Sequence, residues 1–341
     1  MLPTAAQTDR ASATSSDAPL VSFVIPVKND AVRLARCLKA IRACDYPAGL
    51  VEIIVADNGS DDGSDQVASD AGARVVSLPH RRVAALRNAA ARVARGAILA
   101  FVDADHEIVP DWTCRAVDAL SSPEVGAAGA PYHAPSDGTW VQRMYDAFRD
   151  HAPGRRAVEW LASGNLAIRR EVFEQVDGFD TSLETCEDVD LCQRLRSAGF
   201  AVVSDASLRS VHHGDPSTLG ALFSQELWRG RDNLRASLRG PVTLRGLPSI
   251  VLPALVLDVI VVATVATLIT GRGVIAAAAI ALLAGLAAAR ASRLLIHLGR
   301  ANAADLVRAL AVASVYDLAR ALAPMLQAGH HHRRSAPRSD W

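Results

Sequence analysis

A chain of 341 residues is long enough for one domain of about 200–250 residues and an extension beyond it. Lys+Arg and Asp+Glu both number 36, which argues against a dedicated nucleic-acid binder and its usual basic excess. Half of the residues are hydrophobic, and five cysteines without a CxxC pair fit a reducing compartment as small core residues, not a disulfide framework.

Residues 1–19, rich in Ala, Ser and Thr with no apolar stretch, read as a disordered tail and not as a signal peptide. Leu20–Pro26 is a short β-branched run with the character of a buried strand, and Leu34, Leu38 and Ile41 recur at helical steps behind it. Val51–Ala56 makes a second strand, ending at Asp57-Asn58-Gly59-Ser60, and Arg74–Leu78 a third. A helix over Arg81–Arg95 leads to a fourth strand, Ala97–Val102, which ends at Asp103-Ala104-Asp105. This alternation predicts an α/β fold with a mostly parallel, doubly wound sheet. Ligands of such sheets bind at the carboxyl ends of the strands, where Asn29-Asp30, Asp57-Asn58 and Asp103/Asp105 all fall.

After about residue 125 the pattern loosens, and 132–160, with Trp140, Tyr145 and Trp160, reads as an irregular acceptor-side wall. Order returns at Ser163–Ile168, with a helix over about Glu187–Ala198 and a strand near Phe200–Val203. A helix over Ser217–Leu238 closes a soluble unit expected over 20–240. A transmembrane hairpin is expected over 246–298. Ile250–Thr270 spans about 31 Å as a helix and Gly273–Ala289 about 25 Å, with a tight turn at Gly271-Arg272-Gly273. Asp258 is costly in lipid and should face the second helix or a polar cavity.

Arg239 and Arg245 precede the hairpin and Arg290, Arg293 and Arg300 follow it, against Arg272 alone in the turn. That bias puts both flanks, and the soluble unit, on the cytoplasmic face of the inner membrane. The alternative is a hydrophobic hairpin buried against the soluble unit. Residues 301–328 resemble an amphipathic interfacial helix, and 329–341 a basic disordered tail.

Asp103 and Asp105 end a buried strand with two carboxylates spaced to face one site. Mg2+ or Mn2+ takes such oxygen ligands together with phosphate oxygens, and would neutralise a nucleoside diphosphate leaving group. Asp30 and Asp57 can accept hydrogen bonds from a base or ribose, although NGSDDGS is also a strong turn sequence. In Thr185–Cys192, Thr185 and Asp188 have the spacing of a capping box. Asp188 also shares a helix side with Leu191, Cys192 and Leu195, and a desolvated carboxylate there suits a general base. His212 or His213 can complete a metal shell beside Asp105. Arg229, Arg231 and Arg235 can hold diphosphate oxygens or form a solvated face.

Together VSFVIPVKND, VEIIVADNGSDDGS, RNAAARVARGAILAFVDAD, SGNLAIRREVFEQVDGFD, CEDVDLCQRLRSAGF and HHGDPSTLGALFSQELWRG, in this order over roughly 20–238, resemble the family 2 glycosyltransferases. The resemblance implies a GT-A fold and inverting sugar transfer. It also implies a nucleotide-sugar donor of UDP, GDP or dTDP type bound by Pro26, Asp30, Asp57, Asp103 and Arg229, and an acceptor hydroxyl, for which the anchor makes a lipid-linked molecule plausible. It further implies metal held by Asp103, Asp105 and His212, the last favoured over His213 by the H-x-G-x-P-x-T-L spacing, and a base at Asp188 with Glu187 beside it. One departure is the order Gln225-Glu226-Leu227-Trp228-Arg229, inverted relative to the Gln-x-x-Arg-Trp of processive members, which favours single transfer. The rivals are a sugar nucleotidyltransferase, whose glycine-rich phosphate loop IPVKND lacks, and a non-catalytic membrane scaffold.

Overall fold

The computed structural model describes residues 18–149, 151–233, 235, 247–299 and 302–334. The tail to residue 17, the junction carrying Arg239 and Arg245, Arg300, and the chain from 335 lie outside the described residues.

Strand β1 (Val21–Val27) is buried along its whole length because both of its faces are covered. Val21, Phe23, Ile25 and Val27 enter one core layer and Val24 the other, the period-two split of a sheet lying between helices. Helix α1 (Ala31–Arg42) lays Leu34, Cys37, Leu38 and Ile41 on the first layer. The alternation continues through β2 (Val51–Asp57), α2 (Ser64–Asp70), β3 (Arg74–Ser77), α3 (Val83–Val93) and β4 (Ile98–Val102). Then come β5 (His106–Ile108), α4 (Trp112–Ala119), β6 (Val125–Gly129), α5 (Trp140–Asp146), β7 (Arg155–Ala157) and β8 (Asn165–Arg169). The unit ends with α6 (Arg170–Gln175), α7 (Glu187–Ser197), β9 (Ala201–Asp205), β10 (Ser210–His212) and α8 (Leu219–Arg229).

The eight-stranded sheet has the order β3-β2-β1-β4-β8-β6-β9-β7. Its neighbours are parallel except where β8 meets β4 and β6 and where β7 meets β9. A separate antiparallel ribbon pairs β5 with β10 and sets His106 opposite His212.

The 132–160 segment is more ordered than its composition suggests. Thr139 caps α5 by accepting the Gln142 N–H while Gln142 accepts the Thr139 N–H, a reciprocal box written as Thr-Trp-Val-Gln. The capping box expected from Thr185 and Asp188 does not form. The Asp232 carboxylate accepts the Glu184 and Thr185 N–H groups, and Thr185 Oγ1 accepts the Asp232 N–H. Cys186, with a φ of 62°, becomes the cap residue of α7, which leaves Asp188 to face the cleft.

Among the described residues three long helices follow, α9 (Leu247–Thr270), α10 (Gly273–Leu298) and α11 (Ala303–Arg334). Two of them are long and apolar enough to cross a membrane, over Val251–Thr270 and Gly273–Ile296. Only 6% and 11% of their apolar windows are buried, which disfavours a hairpin hidden against the soluble unit. Helix α10 outruns the expected Ala289 because Arg290 and Arg293 extend it without a breaker. Helix α11 continues to Arg334, through the first part of the stretch expected to be a disordered tail.

A third core cluster joins the two parts. Val141, Met144 and Tyr145 of α5 and Leu222 of α8 pack with Ala287, Ala291 and Leu294 of α10 and Ala309, Val312 and Ala313 of α11.

Candidate active site

The carboxyl ends of β1 and β4 open on a cavity of about 1360 Å³. Pro26, Asp30, Asp103, Asp105, Glu187, Asp188, His212 and Arg229 all line it. Asp57 does not. Its carboxylate accepts the Gly59 and Ser60 N–H groups within the turn, and Asn58 takes the place on the wall. Turn chemistry, strong in NGSDDGS from the outset, absorbs it.

Arg87 on α3, only 3% exposed, organises one side of the cleft. Its guanidinium donates to Asp103 Oδ1 at 2.6 Å and to Glu187 Oε1 at 2.7 Å, tying the end of β4 to the start of α7. Burial opposes the charge on Arg87, but Asp103 and Glu187 raise its pKa well above the ordinary value.

The β5–β10 ribbon organises the other side. His212 Nε2 lies 3.2 Å from Asp105 Oδ2, and His106 Nε2 lies 4.0 Å from Asp105 Oδ1. Both imidazoles have the Nδ1 side occupied, His212 by Asp215 at 2.8 Å and His106 by Ser210 Oγ at 3.1 Å. Asp215 is in turn gripped by Arg149. Each ring is therefore fixed with Nε2 turned towards Asp105, as an outer carboxylate orients a metal-ligating histidine.

Asp105 Oδ1 is buried without a hydrogen-bond partner. Gly214 permits the crowding, since a Cβ there would run into Asp105 Oδ2, and a Cβ on Gly164 would lie 2.6 Å from Asp103 Oδ2. An orphaned carboxylate oxygen between two Nε2 atoms fits a divalent cation well. His213, the first residue beyond the strand, points to Glu107 instead, at 2.8 Å.

The same arrangement sets the charges. Burial opposes ionisation of Asp105, but His212 and His106 hold it well below the usual carboxylate range. Burial also opposes a charge on His212, yet Asp105 and Asp215 push it up to about 10. For His106, burial and the His212 charge win, and it drops to about 4.

Asp188 goes the other way. Burial and the adjacent Glu187 charge push it up to about 7, against the Val189 N–H, Arg87 and the Ser163 N–H. Leu191, Cys192 and Leu195, fully buried one and two turns on, anchor this face of α7 in the core.

Arg229 lines the cavity while bonded to Tyr145 Oη at 2.6 Å, beside the fully buried Glu226. Arg320 of α11 donates to that same Glu226 at 2.7 Å, so the network reaches the C-terminal helices.

Four residues that the motifs do not single out are central here: Arg87, His106, Arg149 and Asp215. Two carried a signal, His106 following Asp105 directly and Asp215 three residues after His212. Arg87 opens the RNAAARVARGAILAFVDAD stretch, but its partners could not be read there, and Arg149 carried none without the fold.

Residues 22–177 match a family model described as Glycosyl transferase family 2. The chain is similar to Glycosyltransferase AglE of Haloferax volcanii, 29% identical over 243 residues, or 68% of this chain and 78% of that protein. It is also similar to N-acetylglucosaminyl-diphospho-decaprenol L-rhamnosyltransferase of Mycobacterium tuberculosis, 30% identical over 252 residues, or 57% of this chain and 82% of that protein. Among solved structures it is similar in fold to the mannosyltransferase PcManGT of Pyrobaculum calidifontis in complex with GDP-Man and Mn2+. The TM-score is 0.64 over 91% of this chain and 88% of the other, at 19% identity.

Proposed function

The chain belongs to the family 2 glycosyltransferases and has a GT-A fold, and from that premise we propose that it moves a sugar from a nucleotide-sugar to an acceptor hydroxyl with inversion at the anomeric carbon. The observation carrying this reading is one cavity that holds both an ionised Asp105 between two oriented histidines and a proton-avid Asp188.

Asp105, His106 and His212, with Asp103 beside them, would hold Mg2+ or Mn2+, whose charge offsets that of a diphosphate leaving group. Arg87 keeps Asp103 oriented, and Asp30 and Asn58 at the β1 and β2 rim offer acceptors to a base or ribose. The acceptor oxygen attacks the anomeric carbon, the bond from that carbon to the diphosphate oxygen breaks, and the acceptor proton passes to Asp188. One displacement inverts the centre and needs no enzyme nucleophile. Glu187 remains paired with Arg87, and its charge strengthens the pull of Asp188 on that proton.

The catalytic unit is 20–240, α9 and α10 cross the membrane, and α11 lies along its surface with the catalytic unit on the cytoplasmic side. Anchoring suits a lipid-linked acceptor in envelope glycan synthesis, in line with the decaprenol-linked substrate in the name of the mycobacterial relative.

The test is turnover of UDP-, GDP- and dTDP-sugars with Mn2+ or EDTA, by wild type and Asp188→Asn, with the product anomer read by NMR. Turnover indifferent to both EDTA and the substitution would return the field to the nucleotidyltransferase and scaffold readings, and a retained anomer would remove the single displacement.

A further inference from the structure

A second set of metal-ligating side chains lies apart from the catalytic cavity. His133, Asp146 and His151 do not line that cavity, yet each brings one donor atom to within 4.8 Å of the others. The ribbon holds His133, whose N–H donates to the Ser210 carbonyl and whose carbonyl accepts the His212 N–H. Asp146 is the last residue of α5, the helix whose start is fixed by the Thr139–Gln142 box, and His151 follows shortly after it.

We propose that these three residues form a second metal site, for a divalent cation that accepts nitrogen ligands, Zn2+ above all, distinct from the cation at Asp105. The inference does not depend on the transfer reading.

Three observations carry it. The first is the donor set. Two imidazole nitrogens and one carboxylate oxygen make the three-ligand complement of a tetrahedral zinc site with one position open to water, whereas Mg2+ prefers a shell of oxygens. The second is the spacing. His133 Nδ1 and Asp146 Oδ2 stand 4.0 Å apart, too far for a hydrogen bond and about the width of a cation with a bond of about 2.0–2.1 Å on each side. His151 Nε2 lies 3.2 Å from Asp146 Oδ1, with its ring stacked on His133 at 4.1 Å and 14° from parallel. That ring must turn about its side-chain bonds to aim Nε2 at the same point, and with 27% of the side chain exposed it has the space to do so. The third is the support of the carboxylate. Arg149 donates to Asp146 Oδ1 and also to both oxygens of Asp215, so its charge is shared and Asp146 Oδ2 stays turned towards His133. Ligating carboxylates are commonly oriented by such an outer hydrogen bond. A cation here would clamp the end of α5 to the ribbon and brace the wall between 133 and 151.

The experiment dialyses the full chain in neutral detergent against buffered free Zn2+ and counts bound metal by plasma mass spectrometry. Wild type is compared with His151→Ala, His133→Gln, Asp105→Asn and the His151→Ala/Asp105→Asn double variant. His151→Ala leaves Asp146 paired with Arg149, so its melting temperature without metal should match that of wild type. His151→Ala and His133→Gln should each lose one tightly bound Zn2+ per chain, with affinity down by more than about 100-fold, the upper end of the loss for an outer-shell partner. Asp105→Asn should keep that ion, and excess Mg2+ should not displace it. Zn2+ should raise the melting temperature of Asp105→Asn by more than that of the double variant.

Equal uptake by wild type and His151→Ala would mark binding by the His330–His332 run or adventitious binding, and would overturn the inference. So would one lost equivalent common to His151→Ala and Asp105→Asn with no further loss in the double variant, since a single site would then account for both.

Discussion

Asp105 and Asp188 line the same cavity, and their surroundings drive them in opposite directions. The ribbon of β5 and β10 gives Asp105 two oriented imidazoles, one of them held by Asp215, and Asp105 lies well below the usual carboxylate range. The start of α7 gives Asp188 an apolar helix face and a like charge one residue away, and it holds its proton up to about pH 7. Arg87 limits the effect, since without its pairing to Glu187 two unbalanced carboxylates would adjoin. Residue type alone therefore decides nothing here. A pair of carboxyl groups driven apart in pKa divides the labour into one that holds charge and one that takes a proton.

The contrast breaks most visibly at Asp188→Asn, which should cost roughly 10²–10⁴-fold in kcat for transfer. The same change should stabilise the fold at alkaline pH. Folded Asp188 keeps its proton to about 7 whereas an unfolded aspartate releases it near about 4. Its stabilising contribution is full below the unfolded value and lost as pH rises through about 7. Thermal melts should therefore show a larger gain for the variant at pH of about 8 than at about 5.

Next in size, Arg87→Gln leaves Asp103 and Glu187 in the cleft without their shared cation and should cost about 3–5 kcal/mol in denaturant unfolding. On the Asp105 side, Asp215→Asn weakens the carboxylate that orients His212 and should lower Mn2+ affinity about 10–100-fold, measured by EPR titration. Gly214→Ala, whose Cβ would strike Asp105, should lose at least as much. The smallest effect belongs to His213→Ala, which faces Glu107 and should change Mn2+ affinity by less than about twofold.

The frame of this site was legible because buried parallel strands read as unbroken β-branched runs, and whatever polar residue follows each run must sit at the rim. That places Asp30 and Asp103 from the order of residues alone. Asp188 was legible from its register with Leu191, Cys192 and Leu195.

What the chain order hid is contact across distance. Arg87 meets Glu187 across a hundred residues, and no local pattern marks it. His106 becomes the neighbour of His212 only because β5 and β10 pair antiparallel in one register. Asp57 misled for the opposite reason, since a local turn satisfied a carboxylate whose position suggested a ligand. The Thr139–Gln142 box was present in the letters, but the glycines and prolines around it pointed to irregular structure.

The measurement that bears most directly on the division of roles is the pH dependence of kcat/KM for sugar transfer. Wild type should show an acidic limb with a midpoint near 7, set by Asp188, that is missing from the residual activity of Asp188→Asn. A midpoint in the ordinary carboxylate range, about 4, or a limb unchanged by the substitution, would contradict the assignment of Asp188 as the base.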